Sequence, residues 1–174
     1  YNIRNFNFDD DFFTFNIKRA RRISELILKD PELAGIRWKI TTRADMLPES
    51  LLEVMAKAGL VHISFGVESP TPKVLAAVGK RISLEALKGA TRLEHKYGIN
   101  VRHLLMVGLP EQDSKSIDDT ISFLRDTCPD EIFVAIYMPF PGAEYSIHPE
   151  AYGFLSTHVR YEDMVIRSLV RDEG

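Results

Sequence analysis

The chain has 174 residues, of which 45% are hydrophobic and 27% are charged, and its formal net charge is -3. This composition is typical of one globular unit with a sizeable core and excludes a fibrous or a disordered chain. The sequence has no Lys/Arg cluster for nucleic acid or anionic lipid and no apolar run near the roughly 20 residues of a membrane span. We therefore expect a cytoplasmic protein that binds neither nucleic acid nor a membrane.

Predicted strands and helices alternate along the chain. Hydrophobic periodicity predicts, in chain order, a strand at 2–8, a helix at 15–30, a strand at 36–43, a helix at 47–60, a strand at 61–69, a short helix at 72–79, a longer helix at 83–98, a strand at 100–110, a helix at 114–127, a strand at 131–141 and a last helix at 161–172. Ser83 is the predicted N-cap of its helix, and Ser114 or Ser116 that of the helix at 114–127.

Strands joined by helices of this length form parallel βαβ units. Five such strands predict an α/β fold, a partial TIM-like βα barrel with covering helices, because a complete barrel takes about 250 residues. We assign residues 1–148 to this incomplete barrel and residues 149–174 to a C-terminal helical extension.

Polar and apolar residues alternate in the first three strands. Asn7, Lys39 and Ser64 belong to polar sets, while Trp38 and Phe65 belong to the apolar sets on the opposite faces. We expect the apolar faces to meet the helices and the polar faces to line the lumen of the barrel. The alternative is that the polar faces are simply solvated on an incomplete sheet.

Charged residues, or Gly and Pro, follow every predicted strand, where parallel barrels bind their ligands. The stretches are the acidic run at 9–11, "TTRAD" at 41–45, "GVES" at 66–69, "GLPEQ" at 108–112 and "PFPG" at 139–142. The sequence therefore predicts a ligand site at the carboxyl ends of the strands.

Five motifs in this order resemble the radical S-adenosylmethionine (SAM) superfamily. They are "FNFDDDFFT", "WKITTRADM", "GLVHISFGVESPTPKVLAAVGK", "GINVRHLLMVGLPEQ" and "YMPFPGAEY", and they span the chain up to about Tyr145. The resemblance is to the cobalamin-dependent branch that includes the anaerobic magnesium-protoporphyrin IX monomethyl ester oxidative cyclases, enzymes of tetrapyrrole biosynthesis. It implies SAM binding and formation of a deoxyadenosyl radical for oxidative cyclisation or methylation, with cobalamin held by another domain.

The sequence departs from this family at two points. The CxxxCxxC loop that holds the 4Fe-4S cluster is absent, and "PGAE" stands where related sequences tend to have Thr after Gly. The chain also opens at Tyr1 without Met. We therefore expect a central piece of a radical SAM domain whose cluster ligands lie outside this chain, catalytically inactive in isolation but part of an enzyme when intact.

The resemblance also implies roles for individual residues. Carboxylates after the first strand would face the α-ammonium of SAM, a glutamate in "GVES" its ribose or amino-acid end, and a lysine its carboxylate. An arginine would steady a carboxylate or a substrate acid, the "MVG" backbone would lie along the adenine, and a tyrosine would point into the lumen. The residues are Asp9, Asp10, Arg43, Glu68, Lys80, Met106, Val107, Gly108 and Tyr137.

Each role has a structural alternative. Asp9, Asp10 and above all Asp11 are suited to cap the following helix. Glu68 would form an ion pair with Arg43, and Lys80 would be a solvated loop residue. The histidines show no metal-ligand spacing, so we expect no metal ligands here.

Two other functions remain open at this point. One is a non-radical βα-barrel enzyme with Glu68 and Asp9 as its acid/base pair. The other is a non-catalytic interaction module, and exposed sheet edges favour self-association in either case.

Overall fold

The computed structural model describes residues 3–138. Its five strands are β1 (Asn5–Asn7), β2 (Arg37–Thr42), β3 (Leu60–Glu68), β4 (Asn100–Val107) and β5 (Glu131–Ile136). Its five helices are α1 (Ile17–Lys29), α2 (Glu49–Lys57), α3 (Pro72–Ala77), α4 (Leu84–Lys96) and α5 (Ser114–Thr127). Short 3-10 turns occupy Phe13–Phe15, Pro31–Leu33 and Ala44–Met46.

The strands form one parallel sheet in the order β1-β2-β3-β4-β5, curled into a half-barrel. The predicted α/β fold, a partial TIM-like barrel, is confirmed. The predicted helical extension at 149–174 and the domain boundary at 148 lie outside the described residues.

Side-chain caps mark where α4 and α5 begin. Ser83 caps α4 by accepting from the Ala86 N–H, as predicted. The cap of α5 is Asp113, whose carboxylate accepts from the Ser116 N–H while the Ser116 hydroxyl accepts from the Asp113 N–H. The prediction of Ser114 or Ser116 as N-cap was therefore wrong, because Ser116 completes the capping box from inside the helix.

The N-cap of α1 is not one of the carboxylates at 9–11 that the sequence offered for this role. Asn16 caps α1 by accepting from the Arg19 N–H. The acidic run at 9–11 lies before an intervening 3-10 turn, so its carboxylates are too early in the chain to cap this helix. The capping alternative for these carboxylates was wrong.

The hydrophobic core lies between the sheet and the helices. Trp38, Ile63 and Phe65 are at most 1% exposed and belong to one cluster with Leu51 and Met55 of α2. The Trp38 indole N–H donates to the Ala58 carbonyl at 2.8 Å, so its one polar atom is satisfied in the core. We call this helix-covered side the outer face of the sheet and the opposite side the luminal face.

The luminal face carries the polar sets, as predicted. Arg37 and Lys39 are exposed while Trp38 between them is buried. On β3 the luminal His62 and Ser64 are buried against each other, with His62 Nε2 3.3 Å from Ser64 Oγ. The polar strand faces are thus collected on one concave surface, which is what a ligand cavity requires.

The apolar residues on the outer face of β5 are more exposed than those on the outer faces of β2 and β3. Ile132, Val134 and Ile136 are 51%, 52% and 40% exposed. Within residues 3–138 no helix follows β5, whereas helices follow the other strands. No helix in this part of the chain combines the length and apolar character needed to cross a membrane.

Candidate functional site

The best-defined polar contact at a strand end joins Lys80 to the end of β3. Lys80 Nζ donates to the Gly66 carbonyl at 2.5 Å and to Glu68 Oε1 at 2.7 Å. The two side chains are only 20% and 24% exposed. The structure thus brings together Glu68 and Lys80, both assigned to the site from the sequence, and Lys80 is not a solvated loop residue.

The local backbone explains why these groups meet. The register between β3 and β4 shifts between Gly66 and Glu68, and Glu68 has a φ of 60°. A non-glycine residue in this left-handed region is strained, and such strain is concentrated at functional sites. A Cβ on Gly66 would lie 2.7 Å from Glu68 Oε1 and 2.9 Å from Lys80 Nζ. The missing side chain of Gly66 therefore makes the space that the ion pair occupies.

Arg43, after β2, belongs to a second pair beside the first. Its guanidinium donates to both carboxylate oxygens of Asp45 at 2.9 and 2.7 Å and to the Arg81 carbonyl at 3.2 Å. The hydrogen bond from Arg43 lowers the pKa of Asp45 against the opposing effect of burial, and Lys80 lowers it further. The proposed Arg43–Glu68 ion pair was wrong, because each of these residues has another partner.

The carboxylates after β1 have different environments. Asp9 is exposed and accepts from the Asn7 amide at 3.1 Å. Asp10 is held by Arg19 at 2.8 and 3.0 Å, and the Arg19 guanidinium also lies 5.4 Å from the centre of the Phe13 ring. Arg19 therefore offsets part of the like-charge repulsion in the acidic run, and Asp9 and Asp11 are its exposed carboxylates without an ion-pair partner among residues 3–138.

The end of β4 is shaped by a residue that sequence reasoning missed. The Gln112 side chain accepts from the Gly108 N–H at 2.6 Å and the Leu109 N–H at 3.3 Å, and it donates to the Met106 carbonyl at 3.2 Å. Gly108 has a φ of 81°, which suits glycine. The sequence signal that could have identified Gln112 is an amide side chain four residues after a glycine at a strand end.

The predicted adenine-binding backbone is thus fixed from two sides. Gln112 holds Met106 and Gly108, and the Val107 carbonyl accepts from the Tyr137 N–H at 2.8 Å. A rigid backbone edge of this kind can pack along a flat heterocycle without reordering.

The residues at these strand ends fit SAM but not an iron-sulfur cluster. An open carboxylate at Asp9 suits an ammonium group, and Lys80 has three N–H donors of which two are used within the protein. A cluster needs several thiolates, whereas the chain has one cysteine, Cys128, exposed at the end of α5. Among residues 3–138 no group of three His, Cys, Asp or Glu side chains is placed to hold a metal ion.

Comparisons with known proteins identify the family of this chain. The family model of the radical SAM superfamily matches residues 4–124. An uncharacterised methyltransferase of Pyrococcus horikoshii is 31% identical over 150 residues, which cover 84% of this chain and 32% of that protein. The anaerobic magnesium-protoporphyrin IX monomethyl ester cyclase of Rubrivivax gelatinosus is 36% identical over 119 residues, which cover 67% of this chain and 21% of that enzyme.

A solved structure supports the fold. The radical SAM methyltransferase TsrM of Kitasatospora setae, determined with cobalamin and a [4Fe-4S] cluster, superposes with a TM-score of 0.73 at 16% identity. The match covers 79% of this chain and 28% of that one, and the chain spans a third or less of the length of each of these relatives. The chain belongs to the radical SAM superfamily.

Proposed function

We propose that this chain forms the SAM-binding part of a radical SAM enzyme that methylates or oxidatively cyclises a small molecule. The observation that carries this proposal is the Lys80–Glu68 pair, half-buried at the end of β3 and built on a strained backbone. Family membership supports SAM as the ligand, and the methyltransferase and cyclase among the relatives support the two reaction classes.

The strand-end residues divide the binding of SAM between them. Asp9 accepts from the α-ammonium, supported by Asp10, and the free N–H of Lys80 donates to the carboxylate. Glu68 accepts from ribose hydroxyls, and the backbone from Met106 to Gly108 lies along the adenine. Bound SAM supplies a one-electron cleavage chemistry that these residues serve by orienting it.

The remaining cofactors are proposed to be held elsewhere in the protein. With one cysteine in 174 residues, the cluster ligands come from outside this chain. Cobalamin, present in the TsrM structure, is assigned to a separate domain. The isolated chain is therefore expected to be inactive in turnover even if it binds SAM.

The other functions considered from the sequence gain no support from a specific contact. Glu68 is engaged by Lys80 and Asp9 by Asn7, and the two carboxylates follow strands that are not neighbours in the sheet. Self-association through the β1 and β5 edges stays a proposal, and size-exclusion chromatography with light scattering tests it.

Equilibrium dialysis with labelled SAM on the full-length protein tests the proposed function. Lys80→Met is expected to weaken SAM binding at least about tenfold, since one charge-assisted hydrogen bond and the Glu68 geometry are lost. Lys88→Met is the matched control, because Lys88 is a partly covered lysine that forms an ion pair with the exposed Asp126 on the outer helix layer. Unchanged SAM affinity in Lys80→Met, or no SAM binding by the wild-type protein, contradicts the proposal.

A further inference from the structure

The luminal face of β4 and β5 carries an apolar wall that the SAM site does not use. Leu104 pairs with Phe133 and Met106 pairs with Ala135 across the two strands. Leu104 lies between His103 and Leu105, which are buried on the outer face, so its own side chain is luminal. We call Leu104, Met106, Phe133 and Ala135 the luminal apolar wall.

Phe133 is the most exposed member of this wall. Phe133 is 55% exposed although it lies on the luminal face, next to half-buried Leu104. Phe133 lies in the same row as Gly66, the residue beneath the Lys80–Glu68 pair, with Leu104 between them. An exposed ring beside a ligand site is available to pack on the flat or apolar part of a second molecule.

A cationic corner faces this wall from β2. Arg37 and Lys39 are exposed on the luminal face beside Asn5 and Asn7 of β1. In the part of the chain that the structure describes, no carboxylate lies within ion-pair distance of either cation.

The charge of Lys39 acts on titratable groups of the neighbouring strands. Burial lowers the pKa of His62, and the positive charges of Arg102 and Lys39 lower it further against the opposing effect of Glu131. Lys39 also helps to lower the pKa of Glu131, whose main partner is Arg102. Lys39 is therefore close enough to act across β3.

The luminal charges do not balance among themselves. Arg102 pairs with Glu131 and Lys80 pairs with Glu68, while the imidazole of His62 is predominantly neutral at pH 7. Among residues 3–138, Arg37 and Lys39 have no ion-pair partner, and the open carboxylate on the luminal face, Asp9, is the one that the proposed function assigns to the SAM ammonium. A concave face with one apolar wall and one such cationic corner is complementary to an amphiphilic anion.

We propose that the lumen binds a small amphiphilic substrate whose apolar body packs on Phe133 and Leu104 and whose anionic group is held by Lys39 and Arg37. This inference rests on the proposed function, because it names the class of substrate that lies beside the SAM site. Phe133 is then a substrate-positioning residue of the intact enzyme, and Lys39 selects substrates that carry the anion.

Two fluorescent dyes probe this chemistry in the full-length protein. 8-Anilinonaphthalene-1-sulfonate has an aromatic body with an anionic group, and N-phenyl-1-naphthylamine has the same body without the anion. Phe133→Ala is expected to weaken binding of both dyes about fivefold or more, since each loses apolar contact. Lys39→Gln is expected to weaken only the sulfonate dye, by a similar factor that shrinks at high salt, and Lys39→Arg is expected to restore it.

Val134→Ala is the matched control, because Val134 is the next residue on β5, is 52% exposed and faces outward. Its dye affinities are expected to equal those of the wild type. Equal losses in Val134→Ala and Phe133→Ala, an equal effect of Lys39→Gln on both dyes, or no dye binding by the wild type overturns the proposal. SAM dialysis on the wild type and the same variants separates the two proposals. A wild-type protein that does not bind SAM contradicts the proposed function, whereas the dye pattern decides the substrate class.

Discussion

Lys80 Nζ lies 2.5 Å from the Gly66 carbonyl and 2.7 Å from Glu68 Oε1, so one ammonium group joins both sides of the irregular end of β3. The contact spans 12 residues of chain and closes the loop that contains α3. Because the carbonyl and the carboxylate are both satisfied by Lys80, the left-handed backbone at Glu68 is held in place by the same group that we assign to ligand binding.

The first prediction concerns Gly66. In Gly66→Ala the new Cβ would displace Glu68 Oε1 and Lys80 Nζ, which are the far ends of flexible side chains. The free energy of unfolding is therefore expected to change by less than about 1 kcal/mol, while SAM affinity falls, because the displaced groups are those that bind the ligand. Urea unfolding and SAM dialysis measure the two effects separately.

Gly89 provides the control for this change. It lies within α4, and a Cβ added there meets nothing within 4 Å. Gly89→Ala is expected to stabilise the fold by roughly 0.5–1 kcal/mol and to leave SAM affinity unchanged. A Gly66→Ala protein that binds SAM like the wild type would remove the proposed role of the Lys80–Glu68 pair.

The second prediction concerns Glu94, a carboxyl group inside the helix layer. Glu94 is fully buried, and neither of its carboxyl oxygens has a hydrogen-bond partner within residues 3–138. Burial, assisted by Asp130, raises the pKa of Glu94 to about 9. Above about pH 4.5 the unfolded chain has lost a proton that the folded chain retains, so the free energy of unfolding falls as the pH rises toward 9.

Glu94→Gln replaces the titratable carboxyl group with an amide that does not titrate, so this pH dependence of stability is removed. The variant is expected to be more stable than the wild type at pH 7, by up to about 3 kcal/mol, with a difference that widens toward pH 9 and vanishes near pH 4.5. Urea unfolding at several pH values measures this difference. Glu85→Gln, an exposed position on the same helix, is expected to show no such widening. A constant difference between Glu94→Gln and wild type across this range contradicts the prediction.

Sequence reasoning predicted the sheet well because its evidence is local. The alternation of Arg37, Trp38, Lys39 and Ile40 identifies both faces of β2 without knowledge of any partner, and the structure confirms both. The same reasoning works for β3, where Ile63 and Phe65 are buried on the outer face.

The partners of the site residues were not predictable in this way. Lys80 reaches Glu68 only because β3 is irregular at Gly66 and the chain between them folds back, and neither feature leaves a periodic signal. Asp10 was assigned to the ligand without its partner Arg19, which lies in the first turn of α1. Contacts set by loop conformation and by side-chain reach require coordinates.

The third prediction concerns His103, which is buried on the outer face of β4. Its Nε2 lies 3.0 Å from Thr91 Oγ1, its ring stacks on Phe123 at 5.6 Å, and its Nδ1 has no partner among the described residues. Burial, with a smaller effect of His95, lowers the pKa of His103 to about 4. Below about pH 6.5 the unfolded chain binds a proton that the folded chain does not, so stability is lost as the pH falls from 6.5 to 4.

His103→Gln tests this acid-side loss. The variant is expected to be less stable than the wild type at pH 7, since the ring contacts with Phe123 are lost, but its stability should fall less steeply between pH 6.5 and 4. Urea unfolding across this range gives both slopes. Equal slopes for His103→Gln and the wild type would assign the acid sensitivity to other groups.

The fourth prediction concerns Cys128, the residue at the C-cap of α5. The structure exposes it at the C-cap of α5 with a φ of 44° and a ψ of 58°, a left-handed conformation that costs a residue with a Cβ about 1 kcal/mol. Cys128→Gly is expected to stabilise the fold by up to about 1 kcal/mol, because glycine adopts this conformation without strain. Cys128→Ala, which removes the thiol but keeps the Cβ, is expected to change stability little. Thermal and urea unfolding compare the two variants, and equal stability of Gly and Ala at this position would show that the left-handed cap carries no strain.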